Sequence, residues 1–175
     1  MTILNMKKII VLIVLILAAG GFFFLPAVHV LSISSRKNPD QVFYYAAACK
    51  NGFIISYTHS VNKGRVHDFY RPAKGGGLEL YKTQFVSYGA GIPEAEETPG
   101  AVFTVTPDGY FIENLHRFVP RLTMAVGIIA NHTIAAGTDF NGQREYQLTS
   151  YFEPQTSIIL EIKKVSLSAY IKNSI

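Results

Sequence analysis

The sequence predicts an all-β fold, a single antiparallel β-sandwich or small barrel, carried behind an N-terminal transmembrane or signal-anchor helix. Three observations lead there. An apolar run without a charge fills residues 9–25, directly after Lys7 and Lys8. The chain beyond it is rich in tyrosine and phenylalanine, 10 and 12 in all, together with valine, isoleucine and threonine, the side chains that suit a pleated surface. Gly, Pro, Asn and Asp punctuate that stretch roughly every 8–15 positions, too closely for long helices.

As a helix, residues 9–25 rise about 25 Å, and continuing to Val28 brings this to roughly 30 Å, the thickness of the bilayer's hydrocarbon. Two lysines ahead of the run and none close behind hold the N-terminus in the cytoplasm and send the rest outward. A cleaved secretory signal has a shorter apolar core, about 7–15 residues. Cleavage after Ala18, Ala19, Gly20 or Gly21 would leave Phe22, Phe23, Phe24 and Leu25 at the new terminus, a poor start for a soluble protein. Lipid attachment needs a cysteine just after those small residues, and the sole cysteine is Cys49. The expectation is a single-pass protein of the inner (cytoplasmic) membrane. Residues 1–27 are its anchor and residues 28–175 its extracytoplasmic (periplasmic) β-domain, with a cleaved leader as the alternative.

Residues 28–34 alternate apolar and polar as the chain leaves the leader. Residues 53–60 place Phe53, Ile55, Tyr57 and His59 on one face, with Ser56, Thr58 and Ser60 on the other. A strand over 65–70 follows the turn Asn62-Lys63-Gly64, and another over 78–86 follows Gly75-Gly76-Gly77. Strands at 102–106 and 110–113 flank Pro107-Asp108-Gly109, the clearest hairpin signal, because Pro presets φ and Gly accepts φ > 0. Strands over 127–135 and 157–165 complete about eight or nine. Only residues 115–126 offer a helical alternative, and Pro120 interrupts it.

About 150 residues beyond the leader make one domain with a genuine core, which needs no disulfide. Cys49 is therefore read as buried and inert. The net charge is +4, but Lys7 and Lys8 supply two of the 16 basic residues set against 12 acids. The outer part is close to neutral and shows no basic stripe, so nucleic acid is not a partner. The acids of the 94–100 loop lack the alternating spacing of a calcium loop. Gly75-Gly76-Gly77 follows Lys74 instead of preceding it, and reads as a turn, not a phosphate cradle. Asn131-His132-Thr133 fits a glycan acceptor but lies inside an apolar strand pattern.

Two stretches hold polar groups that strand formation alone would not select: residues 57–70 and residues 85–93. In the first, the turn decides what faces His59. A two-residue loop sets His59 opposite Asp68, on the face of Tyr57 and Tyr70. A three-residue loop with a bulge at Gly64 sets it opposite His67. A Ser-His-Asp triad is sterically poor, since adjacent His59 and Ser60 point to opposite faces of a strand. Zinc on His59 and His67 needs the second register and a third ligand such as His116 or His132, and no metalloprotease motif supports it. In the second stretch, Gly89-Ala90-Gly91 before Ile92-Pro93 ends a strand in a kink that can approach a ligand closely. A satisfied structural network closing one end of the sandwich and a pocket for a small polar or anionic ligand remain the competing readings.

At these stretches the chain resembles a small bacterial family known only as a domain of unknown function, DUF1850, whose members occur beside TAXI-type tripartite ATP-independent periplasmic (TRAP) transporters. The resemblance rests on Tyr57-Thr58-His59-Ser60-Val61, on Asp68-Phe69-Tyr70, and on Ser87-Tyr88-Gly89-Ala90-Gly91-Ile92-Pro93. The chain departs from the family at Lys63-Gly64-Arg65, where Lys-Ser/Thr-Pro is frequent, and at His67, where an acid is common. The resemblance implies an extracytoplasmic β-domain and a role near solute uptake, with TRAP transporter components as partners, and implies no activity.

The leading expectation is a non-enzymatic accessory protein that binds a ligand or partner through His59, Ser60, Asp68, Tyr88 and Gly91, with no cofactor and no metal. The rival is a metal-dependent or hydrolytic enzyme using His59, His67 and Asp68. A third reading is an envelope structural protein without a site.

Overall fold

The computed structural model describes residues 3–87, 98–137 and 144–175. Tyr88, Gly91 and the acids of the 94–100 loop lie outside them. The chain opens with helix α1 (Ile3–Phe24), apolar and long enough to cross a membrane by length and composition, with none of residues Lys7–Phe24 buried against the protein. Strand β1 (Pro26–Ser35) begins one residue later. Then come β2 (Val42–Tyr45), α2 (Ala46–Asn51), β3 (Phe53–Thr58), β4 (Arg65–Pro72) and β5 (Leu78–Phe85). They are followed by β6 (Val102–Thr106), β7 (Gly109–Val119), β8 (Leu122–Ala125), β9 (Thr133–Ala136), β10 (Glu145–Gln147), β11 (Ser157–Ser166) and α3 (Leu167–Asn173).

All strand pairs are antiparallel and form two sheets, ordered β2-β1-β11-β8 and β10-β9-β3-β4-β5-β7-β6. The all-β sandwich read from residue pattern is the observed fold. Leu31, Ile33, Ile158 and Leu160 of the smaller sheet pack against Phe53, Ile55, Tyr70, Leu78, Leu80 and Ile134 of the larger one. Strand β1 is buried on both faces, because Val30 packs with Tyr44 and Val165 beneath Ala169 and Tyr170 of α3. A smaller core of Val66, Phe85 and Ile112 forms where the seven-stranded sheet reaches β5 and β7.

Several expectations change. The helical alternative over 115–126 is not realised: β7 runs through Val119 along β5, and Pro120 sits in the turn before β8. The strand expected over 127–135 forms only at Thr133–Ala136, because the His132 ring accepts a hydrogen bond from the Gly127 amide (3.0 Å) and folds the intervening residues into a loop. Short β2, α2, β10 and α3 carry no strong periodicity, and they cover sheet edges and faces. Cys49 lies buried in α2, where burial raises its thiol pKa.

Gly52 joins α2 to β3 with φ +82°, and a Cβ there would run into the Tyr70 carbonyl oxygen. Gly52→Ala combines a left-handed backbone with that clash, so it should cost about 1–3 kcal/mol or more in urea unfolding. An unchanged midpoint would contradict this packing.

Candidate functional site

The site follows from strand register. Strands β3 and β4 pair Ile55 with Asp68, Ser56 with His67 and Tyr57 with Val66, so neither register expected for His59 occurs. The strands stop at Thr58 and Arg65, and residues 59–64 form the turn. His59 heads that turn instead of extending the strand. Its amide donates to the Gly64 carbonyl (2.8 Å), and its Nδ1 accepts from the amides of Val61 (3.3 Å) and Asn62 (3.4 Å). With Nδ1 an acceptor, the neutral ring carries its proton on Nε2.

Across the larger sheet one inward row reads Ile134, Ile55, Asp68, Thr83, Ile112, Phe103. A carboxylate and a hydroxyl interrupt an otherwise apolar line. The neighbouring inward rows hold Tyr57, Val66 and Phe85 on one side and Phe53, Tyr70, Leu80 and Arg117 on the other. Two bulges create this arrangement. One at Tyr81 reverses the parity of β5, so Leu78 and Leu80 face inward before it and Thr83 and Phe85 after it. The other inserts Asn114, Leu115 and His116 into β7, with Asn114 at φ 59° and His116 at φ 46°. Leu115 consequently packs against both hydrophobic clusters, and the exposed His116 bonds Glu79 at 2.8 Å.

Where the rows meet, a cavity of about 220 Å³ is lined by Tyr57, His59, Asp68, Thr83, Leu115 and Arg117, with apolar neighbours including Leu80, Phe85 and Ile112. Tyr57 and Asp68 also line a second space of about 170 Å³, with Tyr70 and His132. The Thr83 hydroxyl donates to Asp68 Oδ1 (2.8 Å), and the Tyr57 hydroxyl donates to the same carboxylate. Burial pushes the Asp68 pKa up to about 6, against the opposing pull of those two donors and of the Arg117 charge. Burial, then the adjacent carboxylate, raises Tyr57 and Tyr70 well above the ordinary phenol range, so both phenols stay protonated.

His67 faces the other side of the sheet. Its Nδ1 lies 2.7 Å from Ser56 Oγ, and burial, with nearby Arg65, pushes its pKa down to about 4. His59, His67 and Asp68 therefore do not converge. Ser60 is exposed on the turn, where its carbonyl accepts from Lys63 Nζ at 2.6 Å. Arg65 pins the 127–132 loop through the carbonyl of Asn131 (2.8 Å) and the start of β9 through Thr133 Oγ1 (2.8 Å). Among the described residues, no three His, Cys, Asp or Glu side chains cluster to hold a metal.

The structure thus brings His59 and Asp68 to one cavity, leaves Ser60 outside it, and adds Thr83, Leu115 and Arg117, which sequence reasoning missed. The shift of apolar parity from Leu78 and Leu80 to Phe85 was the available signal for the first of these.

Residues 53–147 match the family described as Domain of unknown function (DUF1850), just over half of the chain and spanning all the cavity residues. No curated protein and no solved structure is significantly similar to the chain.

Proposed function

The chain belongs to the DUF1850 family, whose description names no activity, and from that premise we propose that it is a membrane-tethered binding protein that takes a small polar ligand into the Asp68 cavity. The carrying observation is the half-buried carboxylate itself. A charge on the apolar face of a core sheet costs stability, and here it lines an open space instead of an ion pair. Four strands and a bulge hold most of the lining groups, with His59 on a turn and Thr98 in a loop at the rim, which favours a recognition site framed by the sheet. The separation of His67 from Asp68 across the sheet favours binding over the hydrolytic alternative.

Helix α1 supports the tether, and the lysines ahead of its apolar run support an orientation with the β-domain on the outer side. On the family resemblance, the partner we propose on that side is a component of a TRAP-type transporter.

The test is two-dimensional NMR of the full-length chain in detergent, titrated with a small-molecule extract of the source cells. Shifts should concentrate on Tyr57, Thr83, Leu115 and Arg117, and Thr83→Val should weaken them by about tenfold, the worth of a hydrogen bond to a charged group. Spectra without cavity shifts would contradict the proposal.

A further inference from the structure

We infer that the Asp68 cavity is built for a small zwitterion, one molecule carrying an ammonium and a carboxylate a few atoms apart, with the common α-amino acids as the nearest chemical class. The inference rests on the binding reading above and names its ligand.

Asp68 on β4 and Arg117 on β7 occupy neighbouring inward rows, with Thr83 and Leu80 of β5 between them. Both line the same space of about 220 Å³. Yet no ion pair joins them within 4.0 Å. Among the described residues the Arg117 guanidinium makes no hydrogen bond, and it acts on the Asp68 carboxylate only through space. Two opposite charges thus border one cavity without meeting.

Each charge has capacity left over. An ionised carboxylate accepts about four hydrogen bonds, and Asp68 receives two, from Thr83 and Tyr57. An ammonium brings three donors and the positive charge that a desolvated carboxylate lacks. The guanidinium presents a planar fork of donors matched to a carboxylate. A simple amine would satisfy Asp68 and leave the exposed Arg117 guanidinium to water. A simple acid would satisfy Arg117 but bring a second negative charge toward Asp68. A zwitterion answers both at once, and Leu80, Phe85, Ile112 and Leu115 offer apolar walls to a short side chain. The volume lies below the roughly 300–1,000 Å³ of pockets for drug-sized ligands, which keeps the ligand small.

Calorimetric titration of the full-length chain in detergent with the common L-amino acids, n-propylamine and propionate tests this. At least one amino acid should bind saturably, with propylamine and propionate weaker by about tenfold or more. Arg117→Gln, at an exposed position, and Asp68→Asn should each weaken that binding by about tenfold or more. Propylamine or propionate binding as tightly as the best amino acid overturns the zwitterion, as does an Arg117→Gln variant with unchanged affinity. Silence toward every amino acid also overturns it. Binding as such still stands if the cell extract moves the cavity resonances, and falls with it if the extract does not.

Discussion

Replacing Asp68 by asparagine should stabilise the protein at pH 8 by about 2 kcal/mol and have little effect at pH 4. The sign follows from the direction of the shift. The carboxyl is pushed up to about 6 in the folded chain from an ordinary 3.8, so the folded state holds the proton more tightly than the unfolded state. Its favourable contribution is complete below about pH 4 and is lost as pH rises through 6. At about 1.4 kcal/mol per pH unit, the ionised carboxylate then costs roughly 3 kcal/mol. Asparagine keeps the shape and offers Thr83 and Tyr57 an acceptor, while its amide group needs a partner in the cavity, which trims the gain. Urea unfolding of both proteins at pH 4 and pH 8 measures the difference of differences. Equal offsets at the two values would show that Asp68 is not desolvated. On the proposed function, a residue that lowers stability while facing a cavity is accounted for by what it binds.

The largest loss should come from Phe53→Ala, at about 3–5 kcal/mol. Phe53 is 1% exposed, and its ring stacks on Tyr70 with centroids 5.2 Å apart and planes 13° from parallel. Removing it opens a void between the sheets and takes away the ring contact, worth about 0.5–1.5 kcal/mol beyond burial alone. Tyr70 also lines the smaller space beside Asp68, so the variant should broaden NMR signals around the site as well as lower the denaturation midpoint. Phe53→Leu should recover part of the loss. A cost below 1 kcal/mol for the alanine variant would place Phe53 outside the core.

The fold class was legible because strand alternation and turn chemistry are local. Phe53, Ile55 and Tyr57 do share the inward face, and the turn after Gly75 and the hairpin at Gly109 stand where Gly and Pro place them. The register of β3 on β4 was not legible. Lys63-Gly64 suggests a tight hairpin, whereas His59 caps a six-residue turn with its own ring, and Arg65 ties that turn to a loop more than 60 residues away. Helix α2 escaped notice because six residues, though alanine-rich, depend on tertiary packing more than on propensity. The site was half legible. Asp68 was singled out as a polar residue on an aromatic face, while Thr83 and Arg117 reach that face only through bulges in β5 and β7, which no two-residue period reveals.

Leu25 alone separates the apolar helix from β1, and β1 is an interior strand, hydrogen-bonded to β11 over most of its length and to β2. There is no slack in such a joint. Wherever the helix is seated, the sandwich follows it after a single residue, with its first strand already paired on both sides. The domain has no leash to reach out on, so on the proposed reading whatever delivers or receives the ligand must come to the domain.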